Sequence, residues 1–443
     1  MLYGKPIDGH SPDLRQPTAA KGVPMGRWPL LMIGIVFTLT AVFIGCSSQS
    51  DLSGAADPVV STAVAPTDRA ASVVTDAPGR DDVKRAMRSV FDWQLETLGS
   101  PEPDWIQSVF MMGAVSAYEA TGDTAYLGAA TRWSTANDWQ LGPRDLHADD
   151  HAAGQVYLDL TRLTGDASTS EATLAGLRGL LASDESADRI WWWCDALFMA
   201  PPALARAAHV TGDPVFVGSL SGMWWDAADP LFDGDEQLFH RDAAARDNRD
   251  GAPPLSRHGN RAFWSRGNGW VLAGIARTLE YLPEDHESRE ILAAVYAIMA
   301  ERVIELQGAD GLWRTSLLDP PAMYPGETSG TALLCHALAW GVNEGMLDPD
   351  AYTPPVFLAW DGLAASVDGD GRLGWVQGVG RRPGLISEAG TAPFGAGAFL
   401  LAGSEMLGML EPADVDERKG AEQHGDTHDT TGGEDGHDSE GTR

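Results

Sequence analysis

The chain predicts an all-α protein whose main domain is a closed (α/α)6 toroid, a barrel of six helical hairpins. Three observations lead there. Amphipathic helical stretches end three times in the same triplet, Thr121-Gly122-Asp123, Thr164-Gly165-Asp166 and Thr211-Gly212-Asp213, with the glycines 43 and 47 residues apart. Glycine suits the left-handed residue past a helix end, and aspartate can cap the next helix, so a period of this size is one helix–turn–helix unit. Alternating β-type runs are scarce. The stretch from about Asp81 to Leu410 holds about six or seven such units, with weaker echoes at Leu279–Pro283 and Trp340–Gly345. Polar-aromatic motifs cluster at helix starts, as residues lining one mouth of a closed ring would.

Residues 1–46 read as an address. Lys21 and Arg27 precede an apolar run from Trp28 to Gly45, which is followed by Cys46-Ser47-Ser48. A positive flank, an apolar core and a small residue before a cleavage point form a secretory signal. Cys46 after Gly45 resembles a bacterial lipobox, in which that cysteine is lipidated; Phe43 departs from the usual aliphatic residue. The run is also long enough to span a bilayer uncleaved. Both readings place the domain outside the cytoplasm, as an exported protein of the cell membrane or outer membrane. Its only membrane contact is then the N-terminal lipid or signal anchor. Residues 47–80 are Ser, Thr, Ala, Pro and Asp with few large apolar groups, a linker composition. Residues 411–443 form an acidic, Gly-rich tail carrying His424, His428 and His437, expected to be solvated and disordered.

The 443 residues carry a net charge of -32. That argues against nucleic acid or an anionic membrane surface as a partner. Lysine is confined to Lys5, Lys21, Lys84 and Lys419, so the remaining cationic side chains are arginines. An anionic substrate is repelled at long range, salt screens that repulsion within about 8–10 Å, and local arginines must hold it. Three cysteines make no disulfide framework, and Cys194 and Cys335 are expected as small buried residues. A monomer or weak oligomer is expected.

Three segments carry candidate chemistry. Trp191-Trp192-Trp193-Cys194-Asp195, followed by Ala196 to Pro202, sets one carboxylate in an aromatic, apolar wall. Desolvation disfavours the charged form, and an acid kept protonated can act as a general acid. A buried Asp that caps a helix is the alternative. Phe263-Trp264-Ser265-Arg266-Gly267-Asn268-Gly269-Trp270 places an arginine between tryptophans, where its planar fork suits a sugar carboxylate. An Arg–Asp bridge stacked on aromatics is the alternative there. In His147-Ala148-Asp149-Asp150-His151, one aspartate is expected to cap the following helix and the other to face the mouth. His147 and His151 lack a third ligand at persuasive spacing, so no metal site is assigned. Phe239-His240-Arg241-Asp242 and Glu327-Thr328-Ser329-Gly330 are weaker candidates. No P-loop, dinucleotide fingerprint or Gly-x-Ser-x-Gly elbow occurs in the chain.

Together these segments resemble glycoside hydrolase family 105, the unsaturated rhamnogalacturonyl hydrolases, related to the unsaturated glucuronyl hydrolases. Ala148 to His151 with Gly154-Gln155, Trp193 to Pro202, Phe263 to Trp270, Asp310 to Trp313, Glu327 to Gly330 and Gly395 to Glu405 carry the resemblance in order. It implies a cofactor-free (α/α)6 enzyme acting on oligosaccharides left by a polysaccharide lyase, which carry a 4,5-unsaturated uronic acid at the non-reducing end. The implied reaction hydrates that double bond and releases the sugar as a keto-aldehyde. Asp195 matches the family's acid/base and Asp149 its second acidic position, with Asp150 the alternative in register. Arg266 and Trp270 match positions that bind the unsaturated sugar. Trp264, Trp193, Met199 and, more loosely, His240 are expected beside them. Near the C-terminal end the family's Asp-Thr and Tyr-Gly are replaced by Glu388 to Gly395, where Phe394 stands for the tyrosine. An inverting glycosidase on the same barrel and a non-catalytic surface glycan-binding protein are the competing readings. Pectin, ulvan and glycosaminoglycan fragments all present the same terminal sugar.

Overall fold

The Thr-Gly-Asp triplets are turning points, as their composition predicts. In a computed structural model, which describes residues 77–244, 255–256, 258–320 and 325–410, Gly122, Gly165 and Gly212 have φ of 72°, 73° and 67°. Each donates its N–H back into the preceding helix. Asp123, Asp166 and Asp213 then cap the next helical segment, accepting from Ala125, Ser168 and Val215 N–H at 2.9–3.1 Å. The N-terminal apolar run, Cys46, most of the linker and the acidic tail lie outside the described residues. Among the described residues no helix is long and apolar enough to cross a membrane.

The chain runs through α1 (Arg80–Thr97), α2 (Trp105–Thr121), α3 (Thr124–Ala136), α4 (Ala148–Thr164), α5 (Glu171–Leu181) and two single turns, α6 (Ala187–Ile190) and α7 (Ala196–Met199). It continues through α8 (Pro201–Thr211), α9 (Leu220–Ala228), a two-residue hairpin of β1 (Phe232–Asp233) and β2 (Leu238–Phe239), α10 (Ser265–Leu279), α11 (Ser288–Glu305), α12 (Thr328–Asn343), α13 (Pro349–Ala364) and α14 (Pro393–Met409). Six of these helices form an inner ring. α2 packs on α4, α4 on α8, α8 on α10, α10 on α12, α12 on α14, and α14 back on α2. The helices between them lie outside, α13 against α12 and α3 against α2, while α1 covers α14 and joins the two ends of the domain. The fold is the (α/α)6 barrel, with six units rather than seven.

The inner helices run parallel. At one end their first residues meet: the Trp105 ring lies 6.2 Å from Trp270 and 5.1 Å from Phe394, and the Arg266 Nη1 reaches Ser329 Oγ at 3.2 Å. At the other end their last turns meet: Arg206 Nε donates to both Asp159 oxygens at 3.0 Å, Arg162 to Glu119, and Asn343 to Glu405. Closure between α2 and α14 needs small residues. A Cβ on Gly397 would lie 2.2 Å from the Val109 carbonyl oxygen, and one on Gly113 would lie 2.4 Å from the Gly397 oxygen.

One inner helix is broken. Pro201 and Pro202 lack N–H groups, so α7 and α8 are separate pieces and the carbonyls before them lose helical donors. Gln155 from α4 supplies the replacement: its Nε2 donates to Phe198 O at 2.9 Å and Met199 O at 3.1 Å. Arg277 from α10 fixes the other end of that amide, donating to Gln155 Oε1 at 3.1 and 3.2 Å. Cys194 and Cys335 are buried free thiols.

Overpacking the closure should loosen the ring. Gly397→Ala is expected to cost about 1–3 kcal/mol, read as a fall of several degrees in a thermal melt. An unchanged melting temperature would refute the close-approach account.

Candidate active site

The mouth is formed by the N-terminal ends of the inner helices, and its chemistry begins with Asp195. This residue precedes α7, and the strand-like pairing of Trp193 with Asp242 holds it there, with Cys194 N–H donating to Arg241 O at 2.8 Å. Its carboxylate performs no capping. The described hydrogen bond to it comes from the Cys194 thiol, 3.2 Å from Oδ1. Burial raises the Asp195 pKa, partly opposed by the Arg241 charge, the thiol bond and the Arg266 charge.

Asp149 stands beside it at the start of α4. Burial above all, and then the negative charge of Asp195, push Asp149 up to about 7. The two acids therefore resist losing both protons, as a coupled pair does. His147 caps α4, its Nδ1 accepting from Asp149 N–H at 3.3 Å. Burial lowers the His147 pKa, so its ring is a neutral acceptor and not a counter-ion for Asp149. The capping role expected of an aspartate thus falls to the histidine. Asp150, expected as a possible substrate contact, is instead spent on Arg144, whose Nε and backbone N–H reach Oδ2 at 2.9 and 2.7 Å. Adjacent helical positions point in different directions, so only Asp149 joins Asp195. His151 is likewise taken by the backbone, its Nε2 3.0 Å from Asp145 O.

Arg266 lies in the first turn of α10, buried between the rings of Trp264 at 4.5 Å and Phe394 at 4.7 Å. Its Nη1 donates to Ser329 Oγ and Gln377 O, its Nη2 to Gly378 O, and its buried Nε has no partner. Among the described residues no carboxylate is hydrogen-bonded to it, so the Arg–Asp bridge is not seen there. Glu327 is the nearby acid that offsets its desolvation most, yet that carboxylate is occupied by Ser329 and Gly330 N–H and by Gln377 N–H. Trp264 donates its indole N–H to Gln377 Oε1 at 3.0 Å, which makes it the shelf under Arg266. Trp270 is buried between Trp105 and Phe198.

The Trp193 ring lies 4.6 Å from that of His147 at a tilt of 40°, next to the acid pair. Met199 is buried, and its carbonyl is held by Gln155. His240 rests on Phe263 at 4.6 Å with Nε2 3.2 Å from Asp233 Oδ2, which orients its ring from the β-hairpin. Two participants carried little signal in the sequence. Gln377 sits in the irregular segment between α13 and α14, where no periodicity marks it. Arg241 stood only in a weak motif, although its charge acts on both Asp149 and Asp195.

A linkage test follows from the raised acid. Between pH 3.8 and about 7 the folded state holds a proton on Asp149 that the unfolded chain has lost, so stability falls as pH rises through that window. Asp149→Asn removes the penalty. It is expected to stabilise the domain at pH 8 by about 1–4 kcal/mol and to change little below pH 4, as thermal melts at the two pH values would show. A pH-independent difference would exclude the buried-acid assignment.

With this geometry in hand, the relatives are informative. Residues 80–410 match the description of Glycosyl Hydrolase Family 88. The chain is 37% identical over 348 residues to an unsaturated 3S-rhamnoglycuronyl hydrolase of Formosa agariphila, covering 74% of this chain and 92% of that protein. It is 33% identical over 420 residues to another of the same description from Alteromonas sp., covering 86% and 99%. The solved structure of a glycosyl hydrolase family 88 protein from Bacteroides vulgatus superposes with a TM-score of 0.69 at 27% identity, covering 74% of this chain and 99% of that one. The barrel, its mouth and this match over residues 80–410 together make the chain a member of Glycosyl Hydrolase Family 88.

Proposed function

We propose that this enzyme acts on lyase-generated oligosaccharides ending in a 4,5-unsaturated uronic acid, and that the sugar it releases is a rhamnose bearing a 3-sulfate ester. The observation that carries the first part is Arg266: a buried cation hydrogen-bonded to a hydroxyl and two carbonyls, and to no carboxylate among the described residues, beside two acids whose pKa values burial raises. Buried charges are normally paired, and a uronate carboxylate supplies the missing partner. The inner-helix N-termini add partial positive charge at the same mouth, which offsets the long-range repulsion of a chain with net charge -32. The second part rests on the two relatives described as unsaturated 3S-rhamnoglycuronyl hydrolases.

In this reading Asp195 gives its proton to C4 of the enol ether. Positive charge develops at C5 and the ring oxygen, and a water adds at C5 while the acid pair takes one of its protons. The product is a hemiketal at C5. It opens to a C5 ketone, which leaves a hemiacetal at C1. That centre expels the second sugar as an alcohol and becomes an aldehyde. One water is consumed and the catalytic proton is returned. Asp149 holds the second charge of the pair, which keeps Asp195 protonated at the start.

Loss of the double bond gives a direct assay, the decay of its ultraviolet absorbance. The wild-type enzyme is expected to abolish it on digests of a sulfated rhamnose-containing polysaccharide, with activity rising as pH rises towards about 7, where Asp149 takes on its negative charge. Asp195→Asn should slow the decay by about 10²–10⁴-fold. Unchanged absorbance with every lyase digest would overturn the reading.

We further propose that the chain is exported and held at the membrane through Cys46. The Gly45-Cys46 junction after a positively flanked apolar run supports this. Cys46→Ser should move the protein from the detergent phase to the aqueous phase on partitioning; an unchanged distribution would refute lipidation.

A further inference from the structure

We propose that Trp192 and Arg241 form the subsite for the departing sugar, and that Arg241 takes the anionic substituent on it. This rests on the substrate class proposed above and assigns the part of the mouth that binds the sulfate.

Arg266 lies at the bottom of the mouth, closed in by Trp264 and Phe394. A uronate held there puts its carboxylate deepest. C1 is across the ring oxygen from C5, so the glycosidic bond leads away from Arg266 and towards the rim. Arg241 and Arg266 both act electrostatically on Asp195, and of the two it is Arg241 that lies over the exposed ring, Trp192. The Arg241 side of the acid is therefore the rim side.

Trp192 and Arg241 are built differently from the deeper residues. Trp191 and Trp193 are buried, whereas Trp192 is 39% exposed, the largest apolar ring left open in the aromatic run. Its ring adjoins Trp193 at 5.1 Å with a tilt of 51°, and the Arg241 guanidinium lies over it at 4.8 Å. A flat ring with an accessible surface is a platform for the apolar face of a 6-deoxy sugar. The Arg241 side chain is nine-tenths buried, with 10% exposure. Nη1 donates to Asp242 at 2.7 Å, and Nε is buried without a partner. Nη2 has no partner among the described residues and is not sealed off. Asp242 thus fixes the fork in place and leaves donors for an incoming oxyanion. The β-ladder contact between Trp193 and Asp242, and the Cys194 to Arg241 backbone bond, tie this pair to Asp195 itself. The spacing between acid and anion subsite is therefore set by backbone.

The neighbouring arginine does not compete for this role. Arg144 also faces Asp149, but its Nε and Nη2 are committed to Asp150. An unsulfated sugar could use the Trp192 platform alone; a sulfate ester adds charge-assisted hydrogen bonds to Arg241.

The test uses two disaccharides, unsaturated uronyl-rhamnose with and without the 3-sulfate, titrated by calorimetry into full-length Asp195→Asn and turned over by the wild-type enzyme. Sulfate is expected to tighten binding roughly 10- to 100-fold. Arg241→Gln in the Asp195→Asn background should reduce that preference to roughly onefold, and Trp192→Ala should weaken both ligands alike. Arg241→Lys should recover part of the preference, because charge without the fork is retained. Equal binding of the two disaccharides, or a preference that survives Arg241→Gln, would overturn the subsite. If wild-type enzyme consumes neither disaccharide and Asp195→Asn binds neither, the substrate class fails and takes the subsite with it. Turnover of both with no sulfate preference fails the subsite alone.

Discussion

Everything in this domain depends on closing a ring of six parallel helices. Each inner helix must touch two neighbours, and the last must touch the first. The α2–α14 seam achieves this at Gly113 and Gly397, where the backbones approach too closely for a side chain. Because the inner helices are parallel, closure gathers their N-terminal ends at one mouth and their C-terminal ends at the other. The first end exposes N–H donors and partial positive charge. The second collects Asp159, Arg206, Glu119, Arg162 and Glu405 into paired contacts. An acidic chain thereby acquires a local region suited to an anion without any excess of lysine.

The ring also tolerates one defect, and the defect holds the catalytic acid. An unbroken inner helix through 196–211 would have continued back over Asp195. Pro201 and Pro202 prevent that, and Gln155 with Arg277 supplies the hydrogen bonds that the prolines remove. The amide is donor to two carbonyls and acceptor from a buried guanidinium, so its orientation is fixed from both sides. Asp195 is left at the start of a single turn with its carboxylate free of capping duties, which is what an acid that must change protonation requires.

Charge is then divided unequally around Asp195. Its neighbour Asp149 makes a second ionisation costly. Arg241 and Arg266 offset part of that cost by favouring the charged form of Asp195. The two arginines differ in what holds them: Arg266 by backbone carbonyls and a serine, Arg241 by Asp242 and an indole face. The first arrangement leaves a full positive charge for the reacting sugar, and the second a partly neutralised one at the rim.

Local signals in the sequence determined much of this. Thr-Gly-Asp is read correctly from the backbone preferences of glycine and the capping chemistry of aspartate, because both act within a few residues. The buried acid at Asp195 and the arginine at Arg266 are legible because their aromatic neighbours are adjacent in the chain. The tertiary structure alone decided which of Asp149 and Asp150 faces Asp195, since Arg144 lies six residues back and its pairing depends on how the loop folds over α4. It alone brought Gln377 under Arg266, across more than a hundred residues of chain. It alone separated Trp192 from its two buried neighbours, because exposure is set by what the ring packs against and not by residue type.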